Sequence, residues 1–96
     1  MRVLLAKQAE EDFDKITEDL ALLNLKAALT LIERFRQKFA GLEQFPELGA
    51  RLANIPSLRM TFVTPYVLYY HIDEDHVEIV RILHGARDHS PLLDDE

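Results

Sequence analysis

Ninety-six residues fit one domain, and with 48% hydrophobic residues the chain can bury a small core of its own. It contains no cysteine, which excludes disulfides, a thiol nucleophile and cysteine-ligated zinc, and a formal net charge of −6 makes it a poor electrostatic match for nucleic acid. No apolar run is long enough to cross a bilayer and the opening MRVLLAKQAEEDF lacks the layout of a signal peptide, so a cytoplasmic location without membrane contact is expected.

Arg2 to Ala6 is a short apolar run that reads as a first strand. Lys7 to Leu23 reads as a helix, because Phe13, Ile16, Leu20 and Leu23 recur on one stripe of a 3.6-residue period. Glu10, Glu11, Asp12, Asp14, Glu18 and Asp19 crowd this stretch with Lys15 alone against them, which reads as a solvated helix face. Asn24 breaks the pattern. It can end the first helix in a left-handed conformation or cap a second one. That second helix runs from about Leu25 to Leu42 on the stripe Ala28, Ile32, Phe35, Phe39 and Leu42. A break this short makes the two helices antiparallel neighbours.

Gly41 and the segment Phe45-Pro46-Glu47-Leu48-Gly49 stop the second helix, since proline lacks a donor and disfavours helix before it. The chain's one long irregular stretch follows, through Arg51, Asn54, Ile55 and Pro56. Leu58 to Val63 then alternates as a strand, with Leu58, Met60 and Phe62 on an apolar face and Arg59, Thr61 and Val63 on the other. Thr64-Pro65 is a hairpin connection. Tyr66 to Ile72 follows, with Tyr66, Leu68, Tyr70 and Ile72 on one face and Val67, Tyr69 and His71 on the other. Asp73 to Asp75 is a polar turn. The last strand, His76 to His84, is expected to place Val77, Ile79, Arg81 and Leu83 opposite Glu78, Val80, Ile82 and His84. A tail from about residue 89 is expected to dock Leu92 and Leu93 and then fray. The order β-α-α-β-β-β predicts an α+β domain over residues 1–96, a helical hairpin on one face of a largely antiparallel sheet.

Little catalytic chemistry is visible. His71, His76, His84 and His89 have no recognised ligand spacing, so neither a metal nor a cofactor is expected. Ser57 and Ser90 lie in no nucleophile elbow. What remains is a cationic group, Arg59, Arg81, His84, Arg87 and His89, of the kind that binds phosphate or stabilises developing charge. Arg81, inside an apolar strand, is expected to pair with a carboxylate such as Glu78 or Asp88. Arg87, just beyond Gly85, is the better candidate for an outside contact.

Several stretches together resemble the RelE/ParE superfamily of bacterial toxins from toxin–antitoxin pairs. They are Ala9-Glu10-Glu11-Asp12-Phe13-Asp14-Lys15-Ile16, the Leu42 to Gly49 segment ending F-P-E-L-G, Leu58-Arg59, Tyr66-Val67-Leu68-Tyr69-Tyr70, and Val80 to Asp88 (VRILHGARD). The last looks most like the ParE branch. In RelE-like members, the resemblance implies, basic residues on the central sheet and a terminal Tyr cleave ribosome-bound mRNA. Aligned on Pro65-Tyr66 and Gly85-x-Arg87, the basic positions fall here on Leu58, Met60 and Val67, and the terminal Tyr on or near Leu93. Only Arg87 matches.

The resemblance therefore implies a ParE-like toxin that binds DNA gyrase or another topoisomerase, is not an enzyme, and is neutralised by a cognate antitoxin. Arg59, His84, Arg87 and His89 are the expected target contacts. Leu58, Met60, Val67 and Tyr69 are expected to form an apolar surface for the antitoxin. A RelE-like mRNA endonuclease, or a non-toxic relative acting only through antitoxin binding, are the alternatives.

Overall fold

The structure is a computed structural model that describes residues 1–87, 89 and 90. Its elements are β1 (Arg2–Leu5), α1 (Lys7–Leu23), α2 (Leu25–Gln44), β2 (Ala50–Arg51), β3 (Arg59–Val63), β4 (Tyr66–Ile72) and β5 (His76–His84). They form a five-stranded sheet in the order β1-β5-β4-β3-β2, with both helices packed on one face. The expected α+β architecture is present, with two additions. β1 runs parallel to β5, from Arg2 beside His76 to Leu5 beside Ile79, so the sheet is mixed. The irregular stretch contributes the short edge strand β2, which pairs Ala50 with Met60 and Arg51 with Arg59.

Asn24 both ends α1 and starts α2. Its backbone N–H donates to Leu20 O at 2.7 Å, while its side chain accepts the Ala27 N–H at 3.0 Å. It does so in an extended conformation, φ −162°, rather than a left-handed one. The helix stripes also differ from expectation at the hairpin tip. On α1, Ala9 and Thr17 are buried and Phe13, Ile16 and Leu20 pack against the core, but Leu23 is 86% exposed. On α2, Leu31 takes the inward position expected for Ile32, between Ala28 and Phe35. A repeat of three or four residues leaves such neighbours ambiguous until the sheet fixes the rotation of the helix.

The main core lies between helices and sheet. Phe35 is fully buried there, with Phe13 edge-on at 5.3 Å and Tyr66 at 6.0 Å. Leu68, Tyr70, Val77, Ile79 and Ile82 complete it from β4 and β5. The strand faces needed two corrections. On β3 it is Val63 that enters this core and Thr61 that is buried, whereas Phe62 is 53% exposed. Cross-strand pairing decides this, since Thr61 lies beside Leu68 and Val63 beside Tyr66. On β5 the register slips by one residue: Tyr70 pairs with Ile79 and Tyr69 with Arg81, leaving Val80 as a bulge. Past the bulge the faces exchange. Ile82 joins the helix-side core, and Leu83 joins a second cluster on the other face.

Candidate functional site

The far end of β5 is built on Asp12 of α1. β1 stops pairing at Ile79, and beyond it a side chain takes over the edge. The Asp12 carboxylate accepts the Ile82 N–H at 3.0 Å and two Arg81 guanidinium bonds, from Nε at 2.8 Å and from an Nη at 3.0 Å. Both side chains are largely buried, at 16% and 11% exposure. The expected structural role of Arg81 therefore holds, with a different partner. Glu78 bonds to His71 instead, and Asp88 lies outside the described residues. The separation of Asp12 from Arg81 in sequence hid the pair.

Beside this pair, α1 and the end of β5 enclose an open groove of about 490 Å³, lined by Asp12, Lys15, Leu20, Tyr66, His84 and Arg87 among others. His84 and Arg87 are both exposed there. Ring contact with Tyr66 at 5.6 Å and an Ala86 N–H donated to its Nδ1 at 3.0 Å hold the His84 imidazole. The Arg87 N–H donates to His84 O at 3.0 Å, and Gly85 N–H donates to Pro65 O at 2.8 Å, which ties the end of β5 to the β3–β4 turn.

His89 lies close by, but on the opposite face of the sheet. Its Nε2 donates to the His84 carbonyl at 2.8 Å, so a neutral ring presents Nδ1 as acceptor to the Tyr69 hydroxyl at 2.5 Å. Arg59 stands apart from these three. Its guanidinium donates to Gly49 O at 2.8 Å and to Glu47 O at 3.4 Å, and thereby holds the F-P-E-L-G segment. It pairs with Tyr70, whereas His84 pairs with Tyr66, which separates them by roughly 13 Å along β4. The four expected target contacts thus divide: His84, Arg87 and His89 gather at one end of β5, and Arg59 braces a loop.

The four residues expected to form an apolar surface for the antitoxin lie on or beside the sheet face opposite the helices. Val67 and Tyr69 are 6% and 5% exposed, and with Leu83 they form the second cluster, flanked by Leu52, Met60 and Val80. Leu58 closes the loop over it: its N–H donates to Ile55 O, and its carbonyl accepts the Leu52 N–H. The middle of the sheet face opposite the helices, at Val67, Tyr69 and Leu83, is therefore covered by the chain's own segments, while Phe62 on the same face is exposed.

Burial raises the phenol pKa of Tyr69 above the usual 10.0. It does the same for Tyr70, opposed there by the Gly49 N–H bond. Both rings are thus protonated in the folded chain at pH values where the unfolded chain has lost the proton. Stability that is fully present below about pH 10 should be lost as pH rises through the raised folded values. A melting series from pH 8 to pH 11 should fall above roughly pH 10, and fall less in Tyr69→Phe. An equal slope in the variant would contradict the assignment.

A further group gathers at the β4–β5 turn. His71 and Glu78 are cross-strand neighbours whose side chains meet at 2.8 Å, and Asp73 stands beside them. No sequence spacing announced this cluster, because its proximity comes from strand pairing.

A helical hairpin on one face of a five-stranded mixed sheet, with imidazole and guanidinium groups at the end of the last strand, defines a fold of the RelE/ParE class. The chain belongs to the ParE toxin family of type II toxin–antitoxin systems, whose family model matches residues 3–89. It is 31% identical over 86 residues to Toxin ParE3 of Caulobacter vibrioides, covering 88% of this chain and 86% of that one. It is 32% identical over 80 residues to Toxin RelE2 of the same organism, covering 83% and 90%. Among solved structures, the chromosomal ParDE system of P. aeruginosa superposes with a TM-score of 0.74 at 22% identity, over 88% of this chain and 95% of that chain. A conserved hypothetical protein from Helicobacter pylori does so with 0.60 at 21%, over 91% and 97%. At these identities the solved structures speak for the fold.

Proposed function

We propose that this chain is the toxin of a toxin–antitoxin pair, that it inhibits DNA gyrase by binding, without catalysis, and that a cognate antitoxin neutralises it. Family membership supports the first part. The reading of the mechanism rests on the sheet. Val67 and Met60 occupy positions where a RelE-like nuclease would carry charge, and they lie in an apolar cluster. Arg81 is tied to Asp12, and Arg59 to two backbone carbonyls. With these two arginines so engaged, fewer cations are left among the described residues to stabilise developing charge on a phosphate, which disfavours strand cleavage.

His84 and Arg87 are then the contacts offered to the target. In a supercoiling assay with purified gyrase, the wild-type chain should inhibit at micromolar concentration, and Arg87→Ala should raise the half-inhibitory concentration at least about tenfold, the loss of one charged interface contact. Arg87 is exposed, so the melting temperature should stay unchanged. Failure of the wild-type chain to inhibit would sink the gyrase reading.

The similarity to Toxin RelE2 favours one other reading, a ribosome-dependent mRNA endonuclease. Cleavage of ribosome-bound mRNA, abolished by Arg87→Ala, would establish it instead. For the antitoxin, the helical hairpin offers an exposed apolar surface. Leu22, Leu23, Leu25 and Leu29 stand 59–87% exposed around the hairpin tip, and such apolar patches suit an amphipathic partner segment. Among the described residues no helix is long and apolar enough to cross a membrane.

A further inference from the structure

The cluster at the β4–β5 turn has the composition of a metal site. His71 supplies an imidazole and Asp73 and Glu78 supply carboxylates, with one ligand atom from each lying within 4.8 Å of the others. Two of the three are fixed by the sheet, because His71 and Glu78 are paired residues of adjacent strands. The third sits at the start of a closed turn, whose Asp73 N–H donates to His76 O at 2.8 Å.

The surroundings favour a cation. His76 stands between two carboxylates, with Nε2 at 3.4 Å from Asp73 and Nδ1 at 3.0 Å from Asp75, and so can orient the Asp73 carboxylate from behind. Asp73, Glu74, Asp75 and Glu78 bring four negative charges to this end of the hairpin, and Arg2, beside His76 on β1, offsets one. The side chains of His71 and Glu78 are 29% and 34% exposed, and that of Asp73 is 50% exposed. An ion can therefore enter, yet it would meet ligands held by packed strands.

We propose that His71, Asp73 and Glu78 bind one divalent transition-metal ion of the Zn2+ type, with His76 positioning Asp73. Imidazole nitrogen and carboxylate oxygen are both ligands that Zn2+ takes, and ligand atoms around a tetrahedral zinc stand about 3.3 Å apart. His71 meets Glu78 through Nε2 at 2.8 Å and approaches Asp73 through Nδ1 at 3.9 Å, so an ion takes one of the two nitrogens, and side-chain rotation draws in the remaining ligand from within 4.8 Å. The ion would replace the hydrogen bond between His71 and Glu78 and clip the two strands across their turn. Glu78 lies roughly 20 Å along β5 from His84, so this site is separate from the proposed target contacts.

The test uses the full chain, freed of any polyhistidine tag and stripped with a chelator, and titrated with Zn2+ by calorimetry. One equivalent should bind. At a hundredfold excess over the dissociation constant, the melting temperature should rise by roughly 10 to 20 °C. Glu78→Gln and His71→Ala should each weaken binding at least tenfold, whereas Glu18→Gln, exposed on α1, should leave it unchanged. Glu78→Gln preserves side-chain shape, and far-ultraviolet circular dichroism of each variant checks the fold. Absence of binding at millimolar Zn2+, or one-equivalent binding that survives both ligand variants, would overturn the proposal. Neither outcome bears on the gyrase reading.

Discussion

Asp12→Ala should lower the melting temperature by at least about 15 °C, the consequence of removing the carboxylate to which a largely buried guanidinium is twice bonded. The carboxylate accepts three bonds, two from Arg81 and one from the Ile82 N–H, and no solvent shell replaces them at 11–16% exposure. Breaking such a pair costs about 3–5 kcal/mol, against a total stability of about 5–15 kcal/mol for a domain. Replacing both partners, as in Asp12→Leu with Arg81→Met, should recover part of the loss, because the uncompensated charge is then gone. The Ile82 N–H would still lack an acceptor, so recovery should be incomplete. A single variant that melts within a few degrees of the wild-type chain would show that solvent reaches Arg81 after all. The expected loss would show that Asp12 acts by holding the strand that carries His84.

Gly49→Ala should be comparably damaging. A Cβ there would stand 2.4 Å from the Met60 carbonyl oxygen and 2.8 Å from the Tyr70 hydroxyl. The first of these is backbone in a paired strand and cannot rotate away. Relief requires the loop to lift, which breaks the Gly49 N–H bond to Tyr70 and disturbs the bond from the Tyr70 hydroxyl to Pro46 O. Overpacking of this kind costs about 1–3 kcal/mol, and each stranded buried group adds about 1–3 kcal/mol. Chemical denaturation should therefore give a midpoint well below that of the wild-type chain, with the slope unchanged. Gly41, where an added Cβ meets nothing, is the control.

The sequence made the helices and the last two strands legible because their apolar periods run over many residues. Asn24 was readable as a break, and Arg81 as a residue needing a carboxylate. Three features were not readable, each for a different reason. The inward face of β3 depends on which residues it meets on β4, and Phe62 and Met60 out-rank Thr61 in hydrophobicity although Thr61 is the buried one. The parallel pairing of β1 depends on chain path. The closure of the outer sheet face depends on the loop through Leu52 and Leu58, whose irregular backbone has no period to detect. Of the site residues, Arg87 and His84 were named because they follow an apolar run at a glycine. The His71–Asp73–Glu78 group was missed because its members are assembled by strand pairing, with no motif in the chain.

The extra residue at Val80 works as a phase shifter within a single strand. Ahead of it, Glu78 shares the outer face with His71; behind it, His84 turns toward the groove beside α1. A strictly alternating strand with the same residues would put Glu78 and His84 on the same side. One inserted backbone unit thus lets β5 address two different surroundings, with an acidic, imidazole-bearing turn at one end and an exposed cationic edge at the other.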